Sequence, residues 1–317
     1  MRREMDIDSS TSGPAVTSRP RTREAPAEYF GTAVVRANLQ ALLQLGPRTA
    51  RNAGALDATL RFLESALASC GYDTQLVSFG EGPGDCNLLA HREGTDPEAP
   101  LLEIGAHYDT VDDCPGADDN GSGIIGLLAL ARYFSQRQLQ RSLRFCFFGA
   151  EETGLRGSRA HQDYLTREGR AFGGCIVFEM IGYRSHASRS QGTPLRVPLL
   201  LWPPRTGDFI ASVTNWGSRR LATAYKQAAS STQGPKVFPV RQWGGLLQDA
   251  TRSDHASYWE AGRAAIMLTD TAEFRNPNYH RPSDTLETVD CSFVGEVAWA
   301  TAVMAEDWAS ASRRTND

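Results

Sequence analysis

Side chains of the two chemical types that bind zinc recur along this sequence, and several follow short apolar runs. Zinc in hydrolytic sites is held by imidazole nitrogens and carboxylate oxygens. Two ions that share a bridging carboxylate can activate water for attack on a carbonyl. The candidate metal ligands are His107, Asp119, Glu152, Glu179 and His280. The pattern therefore predicts a hydrolase with two zinc ions per chain.

Two further carboxylates lie close to these ligands in sequence. Asp109 follows His107 by two residues, near enough to accept a hydrogen bond from the ring nitrogen that does not bind metal. Asp119 is the predicted bridging ligand because it adjoins the Asn120-Gly turn that leads into a helix, and Asp118 is the weaker candidate. A type I′ turn would explain both carboxylates without metal, so that alternative stays open from sequence alone.

The adjacent pair Glu151 and Glu152 is predicted to divide between catalysis and metal binding. It follows the apolar run 145–148, and two adjacent side chains at a strand end can point to different targets. We assign Glu152 to metal and Glu151 to the general base, whose pKa is shifted by the competition between metal charge and burial. The alternative is a solvated pair of glutamates.

The last imidazole and a phenol come from one loop, N-P-N-Y-H-R-P-S-D-T. His280 is the predicted ligand, and Tyr279 is placed to donate a hydrogen bond to a developing oxyanion. Glu179 ends an apolar run, where a carboxylate needs a partner because burying a lone charge is costly. An exposed strand-end glutamate and a surface histidine are the alternatives.

The other histidines and the cysteines are predicted not to bind metal. His91, His161 and His186 are expected on the surface, while His255 either lines the substrate pocket or has a structural role. None of the six cysteines belongs to a C-x-x-C pair. Most are expected to be free thiols, and Cys114 is expected not to be a ligand.

Strand and helix patterns alternate along the chain, which predicts an α/β sheet with helices on both faces. The predicted strands are 73–79, 87–91, 101–106, 142–148, 175–178 and 264–268. The predicted helices begin near Tyr29 and then cover 55–69, 121–134, 156–167, 208–228, 253–261 and 293–309. Loops are expected at 183–206 and 231–252. Residues 1–26 are polar and aperiodic, so we expect a disordered tail there.

Four predicted strands end in a histidine or a carboxylate. These residues are His107, the pair Glu151 and Glu152, Glu179 and Asp270. Ligands of open α/β sheets bind in the crevice outside the carboxyl ends of the strands. We therefore expect these side chains to meet at one edge of the sheet.

The composition argues against several kinds of partner. A formal charge of −4, from 33 basic and 37 acidic residues, gives no electrostatic reason to expect nucleic acid or an anionic membrane. No apolar run approaches the roughly 18 residues of a membrane span, and the N-terminus lacks the apolar centre of a secretion signal. We expect a cytoplasmic protein, and the sequence makes no prediction of its oligomeric state.

Five motifs, in this order, resemble those of the M28 zinc peptidases. This family includes bacterial leucine-type aminopeptidases, glutamate carboxypeptidases and, more distantly, glutaminyl cyclases. The motifs are H-Y-D-T…P-G-A-D-D-N-G-S-G, F-F-G-A-E-E-x-G-L-x-G-S, F-E-M-I-G-Y, R-S-D-H-A-S-Y-W-E-A-G and N-Y-H-R-P-S-D-T. The resemblance runs from about Tyr29 to Ala309. It implies one peptidase domain over 27–312, built around a central mixed sheet, with a polar tail at 313–317.

The resemblance also implies the metal ligands of each site. His107 and Asp119 match first-site ligands, with Asp119 bridging, and Glu152 and His280 match the second site. Glu179 departs from the aspartate that is more usual in its motif. A glutamate keeps the charge and can bind metal, but its extra methylene changes the geometry.

Three catalytic roles follow from the same resemblance. Glu151 matches the general base, Asp109 the carboxylate that orients the first histidine, and Tyr279 a phenol that donates to the tetrahedral intermediate in some aminopeptidases of the family. The resemblance therefore implies a zinc-dependent exopeptidase, in the first place an aminopeptidase, acting on a peptide or small amide.

Three alternatives on the same fold remain at this stage. They are a glutaminyl-cyclase-like acyltransferase that works with one zinc, a hydrolase of N-acylated amino acids, and a non-catalytic binding protein. The presence of both His107 and Asp119 favours a site with two metals, and so argues against the one-zinc acyltransferase. Aromatic residues in or near the two long loops could wall an apolar substrate pocket, which predicts a preference for large apolar side chains over charged ones. These residues are Trp202, Phe238 and Trp243, with Trp216 nearby. The alternative is that they are core or surface aromatics.

Overall fold

Eight strands form one mixed sheet in the computed structural model, in the order β1-β2-β4-β3-β5-β8-β6-β7. The structure describes residues 22–193, 204–232, 234–242 and 248–310. The strands are β1 Thr74–Ser78, β2 Cys86–Arg92, β3 Leu101–His107, β4 Leu143–Phe148, β5 Phe172–Glu179, β6 Phe209–Thr214, β7 Lys236–Arg241 and β8 Ala265–Thr269. The predicted α/β class and the mixed sheet are confirmed.

Helices cover both faces of this sheet, as the alternating pattern predicted. They are α1 Ala27–Phe30, α2 Thr32–Leu43, α3 Ala53–Ala68, α4 Gly123–Ser135, α5 Arg156–Glu168, α6 Arg219–Ser231, α7 His255–Glu260 and α8 Cys291–Ser310. The larger apolar core joins α4 and α8 to one face, and a smaller core joins α5 and α7 to the other. Between two packed layers, the central strands are apolar along most of their length.

The four central strands β4, β3, β5 and β8 are mutually parallel. Their carboxyl ends therefore meet at one edge, where His107 pairs in register with Phe148 and Glu179 with Thr269. All residues of β3, β4 and β8 are buried. The geometric expectation that the ligand-bearing strand ends meet at one edge of the sheet is confirmed.

The predicted helix over 208–228 is wrong in its first half. Phe209–Thr214 is a buried strand, and the helix begins only at Arg219. Four of its six residues are β-branched or aromatic, and such residues favour extended backbone. Asn215 then ends it, since its Oδ1 accepts hydrogen bonds from the Ser218 amide and hydroxyl. The sequence prediction also missed β7, which lies inside the expected loop 231–252.

The chain is already packed against the domain inside the predicted tail. The Arg23 amide donates to the Ser231 carbonyl, and the Arg23 carbonyl accepts from the indole of Trp299. The Arg23 guanidinium pairs with Glu306 and Asp307. In the part of the chain that the structure describes, no helix combines the length and apolarity needed to cross a bilayer.

Candidate metal centre

The five predicted metal ligands come together at the carboxyl-end edge of the sheet. His107 Nε2 lies 3.4 Å from Asp119 Oδ1 and 3.4 Å from Glu179 Oε2. His280 Nε2 lies 3.1 Å from Asp119 Oδ2 and 3.3 Å from Glu152 Oε2. One carboxylate, that of Asp119, therefore faces both imidazoles with a different oxygen each. This is the arrangement expected of a ligand that bridges two ions.

Asp109 ties the end of β3 to the turn after β4. Its Oδ1 and Oδ2 accept the amides of Glu151 and Glu152, at 3.0 and 3.1 Å. His107 Nδ1 lies 3.2 Å from the Asp109 carbonyl oxygen and 3.5 Å from Oδ1. The predicted contact with His107 exists, and it runs through the main chain as much as through the carboxylate. Asp109 therefore fixes the imidazole and the glutamate pair together.

The carboxylate of Asp284 holds the main chain of Asp119, the predicted bridging ligand, in place. Asp284 accepts the amides of Asp118 and Asp119 through its two oxygens, at 2.9 and 3.1 Å. The Asp118 carboxylate is used elsewhere, because it accepts from the Gly182 amide and from Asn276 Nδ2. Of the two adjacent carboxylates, only that of Asp119 lies within 4 Å of an imidazole nitrogen among the described residues.

Glu179 is held from the loop that precedes α7. The Ser253 hydroxyl donates to Glu179 Oε2 at 2.7 Å. Asp254, next along the chain, is fully buried, and burial raises its pKa to about 7 although His107 opposes the shift. Neither residue was among the site residues predicted from sequence.

Tyr279 stacks on His280, with ring centroids 3.8 Å apart. Its phenol oxygen accepts a hydrogen bond from Arg252 Nη2 at 3.1 Å, which leaves the O–H free to donate. Arg252 in turn pairs with Glu273 and Asp249. Sequence analysis missed Arg252, because no local pattern links it to a tyrosine 27 residues further on.

Three buried atoms at the centre of this cluster lack a hydrogen-bond partner among the described residues: His107 Nε2, Asp119 Oδ1 and Glu152 Oε1. Leaving such atoms unpaired is costly. Tetrahedral zinc with bonds of about 2.1 Å places its ligand atoms about 3.4 Å apart. The measured separations of 3.1 to 3.4 Å match this value. The residues present therefore fit zinc.

The pKa shifts in the cluster indicate more negative charge than the neighbouring protein groups neutralise. Burial raises the pKa of Glu152 to about 7, and the charge of Asp119 adds to the shift. Burial also raises the pKa of Glu151 well above its usual range, against the effect of His107. Burial would lower the pKa of His280, but its contacts with Asp119 and Glu152 raise it to about 10. Divalent cations would relieve this crowding.

The structure corrects the assignment of one histidine outside the centre and resolves another. His161 is fully buried rather than on the surface, because its ring reaches Glu103 at 3.0 Å. His255 has a structural role, since Nε2 lies 2.8 Å from the Ala250 carbonyl oxygen and the ring packs edge-on against Trp259. His91 is partly buried, and His186 is exposed as predicted. All six cysteines are free thiols.

The predicted aromatic pocket receives little support. Trp216 follows β6, which runs antiparallel to β8, so it lies at the edge opposite the metal centre with 73% of its surface exposed. Phe238 packs on Phe209 within the outer strands. Trp202 and Trp243 lie outside the described residues.

Comparison with known proteins identifies the family. Residues 87–305 match the family model described as peptidase family M28. The chain belongs to peptidase family M28. It is 34% identical to the uncharacterized protein YfbL of Escherichia coli, over 79% of this chain and 80% of that one. It is 28% identical to the probable lipoprotein aminopeptidase LpqL of Mycobacterium tuberculosis, over 70% of this chain and 46% of the relative. The predicted M28 resemblance is confirmed.

Solved structures of low sequence identity share the fold. The LapA aminopeptidase of Legionella pneumophila superimposes with a TM-score of 0.74 at 23% identity, over 89% of this chain and 73% of that one. A glutaminyl cyclase of Porphyromonas gingivalis superimposes with a TM-score of 0.66 at 18% identity, over 88% and 99%. The fold is thus common to an aminopeptidase and a glutaminyl cyclase, two of the enzyme classes considered from sequence.

Proposed function

We propose that this M28 peptidase is an aminopeptidase that holds two zinc ions per chain and removes N-terminal residues from peptides. The supporting observation is the Asp119 carboxylate between two imidazoles, where its Oδ1, His107 Nε2 and Glu152 Oε1 have no hydrogen-bond partner among the described residues. His107, Asp119 and Glu179 would hold one ion. Asp119, Glu152 and His280 would hold the other.

Glu151 is the proposed general base. Zinc, when bound, lowers the pKa of water towards about 7 and polarises the scissile carbonyl. The buried Glu151 carboxylate takes a proton from the attacking water and returns it to the leaving amine. Asp109 holds the amide of Glu151, which keeps the carboxylate at a fixed place. The Tyr279 phenol donates to the oxyanion that develops on the carbonyl oxygen.

The surplus of carboxylates supports a substrate with a free amino group. Two divalent ions neutralise four negative charges, whereas the cluster holds the carboxyl groups of Asp109, Asp119, Glu151, Glu152, Glu179 and Asp254. A protonated α-amino group is favoured beside this remaining charge. An N-acylated substrate has no such charge.

The test of the proposed chemistry is Glu151→Gln. The amide cannot accept the proton from water, so kcat for aminoacyl-nitroanilides should fall by roughly 10²- to 10⁴-fold. Zinc content, measured by elemental analysis, should stay near two per chain. Glu152→Gln makes the same change one residue further on, and it should lose zinc instead.

Two outcomes would contradict this proposal. Loss of zinc in Glu151→Gln would show that Glu151 is a ligand and not the base. Wild-type protein that cleaves N-acetylated substrates but not the free amines would indicate a hydrolase of acylated amino acids. One zinc per chain, together with cyclisation of N-terminal glutamine, would instead favour the glutaminyl-cyclase-like alternative that the shared fold allows.

A further inference from the structure

Arg48 is a fully buried arginine whose side-chain hydrogen bonds all go to the main chain. It lies between α2 and α3, outside the residues 87–305 that match the family model. Its Nε donates to the carbonyl oxygen of Tyr108 at 2.7 Å, Nη1 to that of Pro115 at 3.0 Å and Nη2 to that of Gly116 at 2.8 Å. The guanidinium therefore spans the loop 108–116.

This loop joins two of the proposed ligands. It begins directly after His107 and ends three residues before Asp119. The Arg48 main chain adds two bonds to its start: the Arg48 amide donates to Thr110 Oγ1 at 3.0 Å, and the Thr110 amide donates to the Arg48 carbonyl at 3.1 Å. Arg48 thus fixes the loop near both ends.

The loop is shaped to admit the guanidinium closely. Gly116 has a φ of 66°, which favours glycine. A Cβ at this position would lie 2.6 Å from Arg48 Nη2 and 2.5 Å from the Asp119 carbonyl oxygen. No side chain fits there without moving either the arginine or the bridging ligand.

Charge pairing does not account for Arg48. Among the described residues no ion pair joins it to a carboxylate, whereas the other arginine with no exposed surface there, Arg144, pairs with Glu103 and Glu168. Burying an unpaired cation is costly. The carboxylates whose charge acts most strongly on Arg48 are those of Asp284, Asp119 and Asp109, which belong to the metal centre and its supports.

We propose that Arg48 is a positioning residue for the metal centre. By holding the loop 108–116, it sets the separation at which His107 and Asp119 meet the same ion. The proposal rests on the two-zinc site proposed above, and it extends that site to a residue from the N-terminal helical layer.

The test is the zinc affinity of Arg48→Lys, with Arg144→Lys as the matched control. Lysine keeps the charge but loses the planar fork that reaches three carbonyls. Both arginines are fully buried, so both variants should lower the melting temperature of the metal-free protein. Zinc dissociation constants would be measured by competition with a fluorescent zinc chelator. Arg48→Lys should bind zinc roughly 10- to 100-fold more weakly, and Arg144→Lys should bind as wild type does.

A milder pair of variants decides the question if Arg48→Lys does not yield soluble protein. Thr110→Val removes the hydroxyl that accepts the Arg48 amide. Thr59→Val makes the same change at a buried hydroxyl that has no partner among the described residues. Weaker zinc binding in Thr110→Val alone would support the positioning role.

Unchanged zinc affinity in Arg48→Lys, or in Thr110→Val where that variant must be used, would overturn this proposal and leave the proposed function intact. Equal weakening in the control variants would overturn it too, because the loss would then follow general destabilisation. Wild-type protein that binds no zinc would overturn the proposed function, and this proposal with it.

Discussion

Two buried clusters of acidic and basic side chains each include one residue of β3, and they differ in how many of their carboxylate oxygens have hydrogen-bond partners. One is the metal centre around His107. The other, the Glu103 network, comprises Glu103, Arg144, His161 and Tyr258. Glu103 precedes His107 by four residues on β3, a distance of about 13 Å along a strand. Both clusters contain groups of residues of metal-binding type.

In the Glu103 network every carboxylate oxygen of Glu103 has a partner. Oε1 accepts from Arg144 at 2.9 Å and faces His161 at 3.0 Å, while Oε2 accepts from Tyr258 at 2.7 Å. Burial alone would raise the pKa of Glu103, yet His161 and Arg144 lower it to about 2. In the metal centre, by contrast, the pKa of Glu152 is raised to about 7.

This difference between the two clusters shows what distinguishes a metal site from a structural cluster of similar residues. Residue type and proximity alone would make the group Glu103, Cys146 and His161 a metal site as well. Its carboxylate is already neutralised by a guanidinium, and a further cation there would be repelled. In the Glu103 network the unpartnered buried atom among these side chains is His161 Nδ1, whereas the metal centre leaves carboxylate oxygens of Asp119 and Glu152 without a partner among the described residues. These unpartnered carboxylate oxygens and the excess negative charge set the metal centre apart. Stability is the role of the Glu103 network, and ion binding that of the metal centre.

The largest expected effect comes from Glu152→Gln. Replacing a ligating carboxylate by an amide should weaken zinc binding by more than about 100-fold. The metal-free protein at pH 7.5 should become more stable by on the order of 1 kcal/mol, because a carboxylate with a raised pKa opposes folding when it is ionised. Chelator competition and urea unfolding measure the two effects. If the metal-free variant were less stable than the metal-free wild type, Glu152 would stabilise the fold as Glu103 does, and the proposed difference between the two clusters would be wrong.

The same change in the other cluster should have the opposite result. Glu103→Gln leaves Arg144 without its buried partner, so the free energy of unfolding should fall by about 3 kcal/mol at pH 7 while zinc binding stays unchanged. A folded pKa of about 2, below the ordinary value, means that Glu103 stabilises above about pH 4.5. The gap between wild type and variant should therefore narrow as pH falls from 4.5 towards 2. A gap that is constant with pH would count against this ionic role.

Glu179→Asp sharpens the comparison within the metal centre. The shorter side chain should draw the carboxylate away from His107 and from the Ser253 hydroxyl, now at 3.4 and 2.7 Å. We expect roughly 10-fold weaker binding of one zinc ion, with the second ion and the melting temperature little changed. Tighter zinc binding in Glu179→Asp would contradict this expectation. It would show that Glu179 gives a lower zinc affinity than the aspartate that is usual in the family.

Local patterns were sufficient to predict most of the fold and the clustering of the candidate ligands at one edge of the sheet. His107, Glu152 and Glu179 each follow an apolar run that became a central parallel strand, so their meeting at one edge could be derived from topology rules. The helix over 208–228 failed because an apolar stretch interrupted by Asn215 and Gly217 fits a strand followed by a helix as well as one long helix.

What sequence missed depends on contacts between distant residues. His161 can be buried because its ring contacts the carboxylate of Glu103, 58 residues earlier. Arg48 reaches a loop more than 60 residues ahead, and Ser253 meets a glutamate 74 residues before it. No spacing rule relates such pairs. The entropic cost of closing a loop rises only slowly with its length, so contacts form at many different separations along the chain.

The most direct test of the account is an anomalous difference map, recorded at the zinc absorption edge, from crystals of the zinc-loaded protein. The account predicts two peaks that share the Asp119 carboxylate, one beside His107 and Glu179 and the other beside Glu152 and His280. A peak in the Glu103 network, or a single peak with Asp119 bound on one side only, would contradict it.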